Sequence, residues 1–513
     1  MIHDLSDLRV TIHYPMRIPT ILLLMILATG GHELPASDHP NVLFIMTDDL
    51  NCDLGAYGHP LAKTPNIDRL ADRGIVFDSA FCNFPQCGAS RASFMTGLYP
   101  DQNGVTSLRR LFRHYVPEAV SMTQHFRKNG YTVARVGKIY HYDNPSGIGT
   151  NGHDDPASWD IRVNPIGRDI ADEDKIFSLR KGHFGGTLSW LAAEGTDEEQ
   201  TDGIVAAESI RLMKQLAADD KPFFLGVGFY KPHTPYVAPR KYFDMYKLED
   251  IQVPRVPADY HSTLPAPAIK SLTRKKDQNN LPESTKREAI RAYYATISFL
   301  DTQVGKVLDA VEELGLLDNT IILFSSDHGY HMGEHGYFQK TTLFENADRV
   351  PLILSAPRMK AKGQRTQSLV EMIDFYRTLS DLAGISEPLP YVQGRSCAPT
   401  MDDKNFHTRE SALTTMNGGY TIRTDRYRYT KWPVKEGLAT ELYDRLSDPA
   451  EMVNLATDEN YQDIVSQMDG LWQARVKDAQ ASPEGLNFIE PKPGDNGVTS
   501  KKYRELEKAG LLP

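Results

Sequence analysis

The chain has 513 residues, 40% of them apolar and 24% charged, a balance that supports a large folded core and excludes a disordered polypeptide. That length exceeds one average domain, so a large unit with a smaller companion is expected. A formal net charge of -10 provides no global basic field, which argues against nucleic acid as a partner.

The N-terminus reads as an export signal. Arg17 precedes an apolar run over residues 21–28, and Leu34-Pro35-Ala36 offers small residues for cleavage, so residues 1–36 are expected to be removed, with Met16 an alternative start. The run is too short to span a bilayer, and Gly30-Gly31 and Pro35 interrupt it, so no stable membrane insertion is expected afterwards. The sequence has no Asn-x-Ser/Thr acceptor with a non-proline middle residue. An exported bacterial protein, periplasmic or secreted, is the expectation. Its cysteines, Cys52, Cys82, Cys87 and Cys397, are too few and scattered for a disulfide framework.

After the leader, Asn41-Val42-Leu43-Phe44-Ile45-Met46 reads as a buried strand and residues 66–73 as a helix. A helix-capable run follows Cys87. Next come a helix over 118–129, a strand over 132–136 and a Gly/Asp/Pro-dense excursion over 143–199. A helix over 201–217 leads to a strand over 223–227, then to a second excursion over 253–284. The helix over 286–314 carries Ile290, Tyr294, Ile297, Leu300 and Val304 at helical spacing, so one side of it should face the core. A strand over 320–324 and a helix over 370–383 complete the alternation. A boundary near 399–407 divides residues 37–400 from a C-terminal unit, 401–513, whose runs at 420–423, 427–432 and 441–444 suggest an antiparallel meander with a turn at 424–426, continued through the loop Ser447-Asp448-Pro449. The fold class is therefore α/β: a large, mostly parallel sheet flanked by helices, with a smaller C-terminal antiparallel sheet.

In such sheets ligands bind beyond the carboxyl ends of the strands, and four predicted strands end in reactive residues. The first ends in Asp48-Asp49, adjacent carboxylates that repel unless a cation compensates. Another ends in Asp327-His328. Together they offer oxygen-rich ligands suited to Ca²⁺ or Mg²⁺ rather than to the usual zinc sets. Lys138 and His141 follow a third strand, Lys231 and His233 a fourth, where a cation can hold an anionic ester and an imidazole can move a proton. Lys340, beyond the Gly-rich segment 333–336, can return to the same pocket. Cys87 opens the helix-capable run with Arg91 at i+4, so both share a face and the guanidinium is expected to reach the residue at 87. Each segment alone also has a structural reading: a helix cap for the acidic pair, a solvated loop for the lysines, a buried thiol for Cys87. Convergence is what points to a site.

Cys87-Gly88-Ala89-Ser90-Arg91 resembles the C-x-[PA]-x-R signature of type I sulfatases, in which the cysteine is oxidised to formylglycine. The resemblance extends from Asn41 to about Leu455, through Asp48-Asp49-Leu50, Pro65-Asn66-Ile67-Asp68, Val136-Gly137-Lys138, Lys231-Pro232-His233, residues 293–305 and Ser326-Asp327-His328-Gly329. It identifies the chain as similar to the alkaline phosphatase superfamily, and His328 is similar to the iduronate-2-sulfatase branch. The resemblance implies Asp48, Asp49, Asp327, His328 and the modified Cys87 as ligands of one Ca²⁺. It further implies that Lys138 and Lys340 hold the sulfate, that Arg91 supports residue 87, that His233 protonates the leaving alcohol and that His141 drives release of sulfate. The implied substrate is a sulfated carbohydrate, attacked at a terminal sugar, and the implied partner is a formylglycine-generating maturation enzyme. Two departures stand out: Ala89 replaces the commoner proline, and Leu98 replaces a usual basic residue. The alternatives are a phosphomonoester or phosphonate hydrolase of the same superfamily, and a non-catalytic secreted carbohydrate-binding protein.

Overall fold

The computed structural model describes residues 39–490. The expected leader at 1–36 and the end of the C-terminal unit lie outside the described residues. The main sheet is built from β1 (Asn41–Asp48), β2 (Ile75–Phe81), β3 (Thr132–Gly137), β4 (Ile161–Val163), β5 (Phe223–Pro232), β6 (Thr320–Ser326), β7 (Arg349–Ser355), β8 (Gln364–Thr366) and β9 (Val370–Glu371). Its order is β8-β2-β7-β6-β1-β5-β3-β4, with β9 also on β2. Every pairing is parallel except those of β7, which runs against both β2 and β6.

β1 lies at the centre, and all eight of its residues are buried. Its side chains alternate between two cores, as a strand covered on both faces requires. Val42, Phe44 and Met46 enter the core on one face, Leu43 and Ile45 that on the other. On the first face lies α1 (Cys87–Thr96), whose ten residues are all buried, and the rings of Phe94 and Phe44 are 5.8 Å apart. On the second lies the 31-residue helix Glu283–Glu313, where Ile290, Tyr294, Ile297, Leu300 and Val304 all pack inward as their spacing predicts.

Several boundaries moved. The helix expected from 118 begins at Met122, because Ser121 caps it: its hydroxyl accepts from the Gln124 amide, while the Gln124 side chain accepts from the Ser121 amide. Residues 370–371 pair as a strand with Ala80 and Phe81, and the helix starts at Asp374. Strand β7 escaped sequence reading because Pro351 interrupts its apolar run; the pairing with β2 shifts register there. Within the excursion 143–199, Ile161–Val163 forms a sheet edge, and Ser189–Ala193 pairs with Tyr236–Pro239 in a small separate sheet.

The C-terminal sheet is antiparallel, formed by β10 (Ala412–Met416), β11 (Gly419–Arg423), β12 (Tyr427–Pro433) and β13 (Leu438–Asp444). The expected meander is present with an additional first strand, and a helix, Gln462–Gln480, packs on it. Arg428, fully buried on β12, donates to Glu345 (2.8 Å), Asp348 (2.6 Å) and Glu451 (2.7 Å). The same segment, 345–348, accepts the Gly329 amide on the Ala347 carbonyl. The C-terminal sheet thereby holds the residue that follows His328.

Removing a partner from a buried ion network leaves uncompensated charge. Arg428→Ala is expected to lower the free energy of unfolding by about 3–5 kcal/mol, read as a fall in the urea midpoint. A loss within error of zero would contradict this account of the network.

Candidate active site

The carboxyl ends of β1, β3, β5 and β6 open on one side of the sheet, and local backbone features aim their residues. Asp49 sits at φ 65°, a left-handed conformation uncommon outside glycine, which turns the chain sharply after β1. That turn is held by the Asp49 amide on Asp327 Oδ1 (3.2 Å), the Leu50 amide on Ser326 Oγ (2.9 Å) and the Tyr293 hydroxyl on the Asp49 carbonyl (2.7 Å). Gly137, at φ 72°, ends β3; a Cβ there would meet the Gly228 carbonyl at 2.2 Å. Only glycine permits this approach, from which Lys138 enters the pocket.

Cys87 is the first residue of α1 and 1% exposed. Its Sγ lies 3.4 Å from Asp48 Oδ1, 3.3 Å from His328 Nε2, 3.2 Å from Lys340 Nζ and 4.0 Å from Asp49 Oδ1. Lys138 pairs with Asp48, and Lys340 with Asp49. Burial and the Asp48 carboxylate push the Cys87 thiol well up despite Lys340. The unmodified side chain is therefore a poor thiolate nucleophile.

Arg91 is fully buried and braces the strand ends. Its Nε donates to Asp327 Oδ2 (2.9 Å), Nη1 to the carbonyls of Lys138 (2.7 Å) and Ile139 (2.9 Å), and Nη2 to the carbonyl of Thr47 (2.9 Å), with Asp48 Oδ1 3.6 Å away. Its donors thus go to strand ends and carboxylates, and none of these hydrogen bonds is to the unmodified Cys87 thiol. The i+4 spacing places both residues on one helix face, but the adjacent carboxylate and carbonyls offer better acceptors than sulfur.

His328 Nδ1 donates to the Gly329 carbonyl (2.8 Å), and His233 Nδ1 to the Thr234 carbonyl (2.5 Å). A carbonyl can only accept, so both rings turn Nε2 toward the cluster: His328 Nε2 to within 3.3 Å of Asp49 Oδ1, His233 Nε2 to 3.7 Å from Asp49 Oδ2. His141 stands further out. Its Nε2 is 3.3 Å from Asp143, Nδ1 is buried without a hydrogen-bond partner, and with Gly88 it lines a cavity of about 420 Å³. Burial lowers it to about 4, so it is neutral.

The donor set fits a hard divalent cation. Asp48, Cys87, Asp327 and His328 offer ligand atoms within 4.8 Å of one another, as do Asp48, Asp49, Cys87 and His233. Asp49 Oδ2 is buried with no hydrogen-bond partner, an orphan a cation would satisfy. Burial, against the pull of Lys340 and with Asp48 and Asp327 alongside, pushes the Asp49 carboxyl up to about 7. The sequence singled out all these residues but missed the supporting layer. Ser90 donates to the Asp327 carbonyl, and the Tyr293 hydroxyl bridges the Asp49 carbonyl and the Asn51 amide. A serine at i+3 from Cys87 was the available signal for the first; the second joins residues 242 apart in sequence, and its only signal was that Tyr293 opens a segment of the family resemblance.

The sulfatase family model matches residues 40–385, and the model described as "N-sulphoglucosamine sulphohydrolase, C-terminal" matches 333–478. The chain belongs to the sulfatase family. A sulfatase of Formosa agariphila is 33% identical over 466 residues, covering 85% of this chain and 86% of that protein. Iduronate 2-sulfatase of Mus musculus is 31% identical over 522 residues, covering 83% and 92%. Among solved structures, a protein in complex with its substrate D-glucosamine-2-N,6-O-disulfate superposes with a TM-score of 0.66 at 22% identity, covering 86% of this chain and 98% of that one. Phosphonate monoester hydrolase of Agrobacterium radiobacter superposes at 0.72 and 23%, covering 88% and 100%. This sulfatase is thus a sulfuric ester hydrolase with the alkaline phosphatase-like fold.

A lysine at position 91 cannot reproduce the planar fork that joins three strand ends. Arg91→Lys is expected to reduce kcat on an aryl sulfate by about a hundredfold, the cost of small misplacements in a reacting site, while far-UV circular dichroism stays native. Activity near wild type would remove Arg91 from this bracing role.

Proposed function

We propose that this sulfatase removes an O-sulfate from the terminal sugar of a sulfated glycan, with Cys87 converted to formylglycine by a maturation enzyme and one Ca²⁺ held by Asp48, Asp49, Asp327 and His328. The observation that carries the reading is the position of Cys87: first in a buried helix, within 3.4 Å of a carboxylate, an imidazole and a lysine. Formylglycine supplies a hydrated aldehyde oxygen as nucleophile where a thiol held protonated by burial cannot serve. The divalent cation supplies positive charge at the sulfate oxygens and at that nucleophile.

The chain's own residues divide the remaining work. Three carboxylates, Asp48, Asp49 and Asp327, face three cations, Arg91, Lys138 and Lys340. That cluster is neutral, so a divalent cation adds the charge needed to accept a monoanionic ester. The sulfatase family match and the sulfatase relatives favour sulfate over the phosphomonoester alternative; the likeness to the phosphonate hydrolase is one of fold. Lys340 lies against Cys87 Sγ and Lys138 against Asp48, where both can hold sulfate oxygens. A sugar alkoxide is a poor leaving group, and His233 Nε2 faces the site to protonate it. Burial and Lys340 hold His233 neutral, and an arriving anion favours its charged form. His141, neutral beside Gly88, is suited to take a proton during release of sulfate. Similarity to iduronate 2-sulfatase supports a uronic or related acidic sugar as the terminal unit, and the apolar run at 21–28 supports export from a bacterial cell.

Two outcomes test this reading. Peptide mass spectrometry of protein made beside a competent maturation enzyme is expected to show oxygen in place of the Cys87 sulfur with loss of two hydrogens; full activity in material carrying only the thiol would overturn the nucleophile. His233→Ala is expected to cost about 10²–10⁴-fold on a sugar sulfate and far less on 4-nitrophenyl sulfate, whose phenolate leaves unaided. Equal losses on the two substrates would reassign the proton donor.

A further inference from the structure

Thr341, next to Lys340, joins three segments. Its amide donates to the Pro85 carbonyl (3.1 Å), two residues before Cys87, and its hydroxyl accepts from Arg274 Nη1 (2.5 Å) on the excursion 253–284. From this junction a groove of about 680 Å³ runs outward between the helix Ala266–Leu272 and the end of β12. Lys270 and Arg274 line one wall, Trp432 and Lys435 the other, with Thr341 where they meet the catalytic lysine loop.

The charge of the groove is unusual for this protein. The whole chain carries -10, yet three cations line the groove and, among the described residues, no aspartate or glutamate does. Nor does Lys270, Arg274 or Lys435 enter an ion pair among the described residues. By contrast Lys431, two strand positions before Pro433, pairs with Asp469. Cations gathered in a cleft without counter-charge create a local positive potential that favours an anion. Trp432, 2% exposed and with its indole N–H on Glu441, backs the groove from within the core, and the exposed Pro433 and Val434 beside it supply the apolar surface on which a sugar ring packs. The volume lies within the range of small-ligand sites.

We propose that this groove is a second subsite, which binds an anionic sugar unit of the same glycan chain while the terminal sulfated sugar occupies the pocket at Cys87. The inference rests on the sulfatase reading of that pocket and adds a requirement to it: the unit beyond the terminal sugar carries a carboxylate or a sulfate. Lys270 and Lys435 meet that anion at the outer end, and Arg274 at the end joined to the Lys340 loop. The groove contributes affinity and selects the substrate; it takes no part in breaking the S–O bond.

The test compares the matured wild-type chain with the double variant Lys270→Gln/Lys435→Gln. Substrates are 4-nitrophenyl sulfate, which is too small to reach the groove, and terminally sulfated disaccharides whose second unit is neutral, a uronate or sulfated. The variant is expected to match wild type on the aryl sulfate and the neutral disaccharide. On an anionic disaccharide it is expected to lose about fivefold or more in kcat/KM, through KM, as two exposed charge contacts would cost. The difference should shrink in high salt, which screens exposed charges. A larger loss with the uronate assigns a carboxylate to the groove, a larger loss with the sulfated unit a sulfate. Unchanged kcat/KM on both anionic disaccharides, or an equal loss on the neutral one, overturns the proposal. Calorimetric binding of the uronate disaccharide lacking the terminal sulfate reads the groove without turnover: weaker binding by the variant supports it, equal binding refutes it. Failure of the wild type on every sulfate ester would instead count against the reading of the Cys87 pocket.

Discussion

A fully buried guanidinium organises this enzyme. Arg91 cannot be left unpaired in a dry interior, where an isolated charge costs far more than the fold can supply. Its donors are therefore met by the carbonyl ending β1 at Thr47, those following β3 at Lys138 and Ile139, and the Asp327 carboxylate after β6. These strands are not adjacent in sequence, and Arg91 lies on the helix that begins with Cys87. One side chain thus fixes the helix that begins with Cys87 against the strand ends that bear the clustered carboxylates and a lysine. The supporting layer of Ser90, Ser326 and Tyr293 repeats the pattern, each tying a strand-end backbone to a distant segment.

The site itself is a problem in charge balance. Asp48, Asp49 and Asp327 converge in a dry interior, and burial there pushes the Asp49 carboxyl up. Asp48 is held ionised by Lys138 and Arg91 against its own burial. A cluster poised in this way would suit a divalent cation together with an anionic ester, because each would compensate the other. The tautomers of His233 and His328, set by backbone carbonyls, leave both Nε2 atoms facing the reacting region.

Away from the chemistry, the two excursions meet over the pocket. Lys275 Nζ donates to the Gly186 carbonyl, Thr187 to Asp277, and the Thr234 hydroxyl to the Gly185 carbonyl beside His233. The segments that carried the least recognisable sequence are thus the ones that frame the entrance, which is where a rigid scaffold places its variable recognition surface. The C-terminal sheet serves both ends of the arrangement. Through Arg428 it anchors the loop that holds Gly329, and through Trp432 and Lys435 it walls the groove.

The sequence alone determined the class of sheet, because β1, β5 and β6 are short apolar runs buried on both faces, and β3 is one interrupted only by Arg135, a pattern visible without context. It also picked out the residues that the fold brings together, since Asp48-Asp49, Cys87 with Arg91, Lys138, His233 and Asp327-His328 each follow a strand or open a helix. Strand β7 was hidden by Pro351, β2 had not been separated from its loops, and the helix at 370 yielded its first residues to β9, because pairing partners far along the chain outweigh local propensity. Tertiary structure alone decided where Arg91 points, since acceptors on three separate strands compete for it and sequence spacing contains none of them. It alone also joined Lys270 and Arg274 to Trp432 and Lys435, about 160 residues away, because the charge of a groove belongs to the surfaces that meet there and not to either segment.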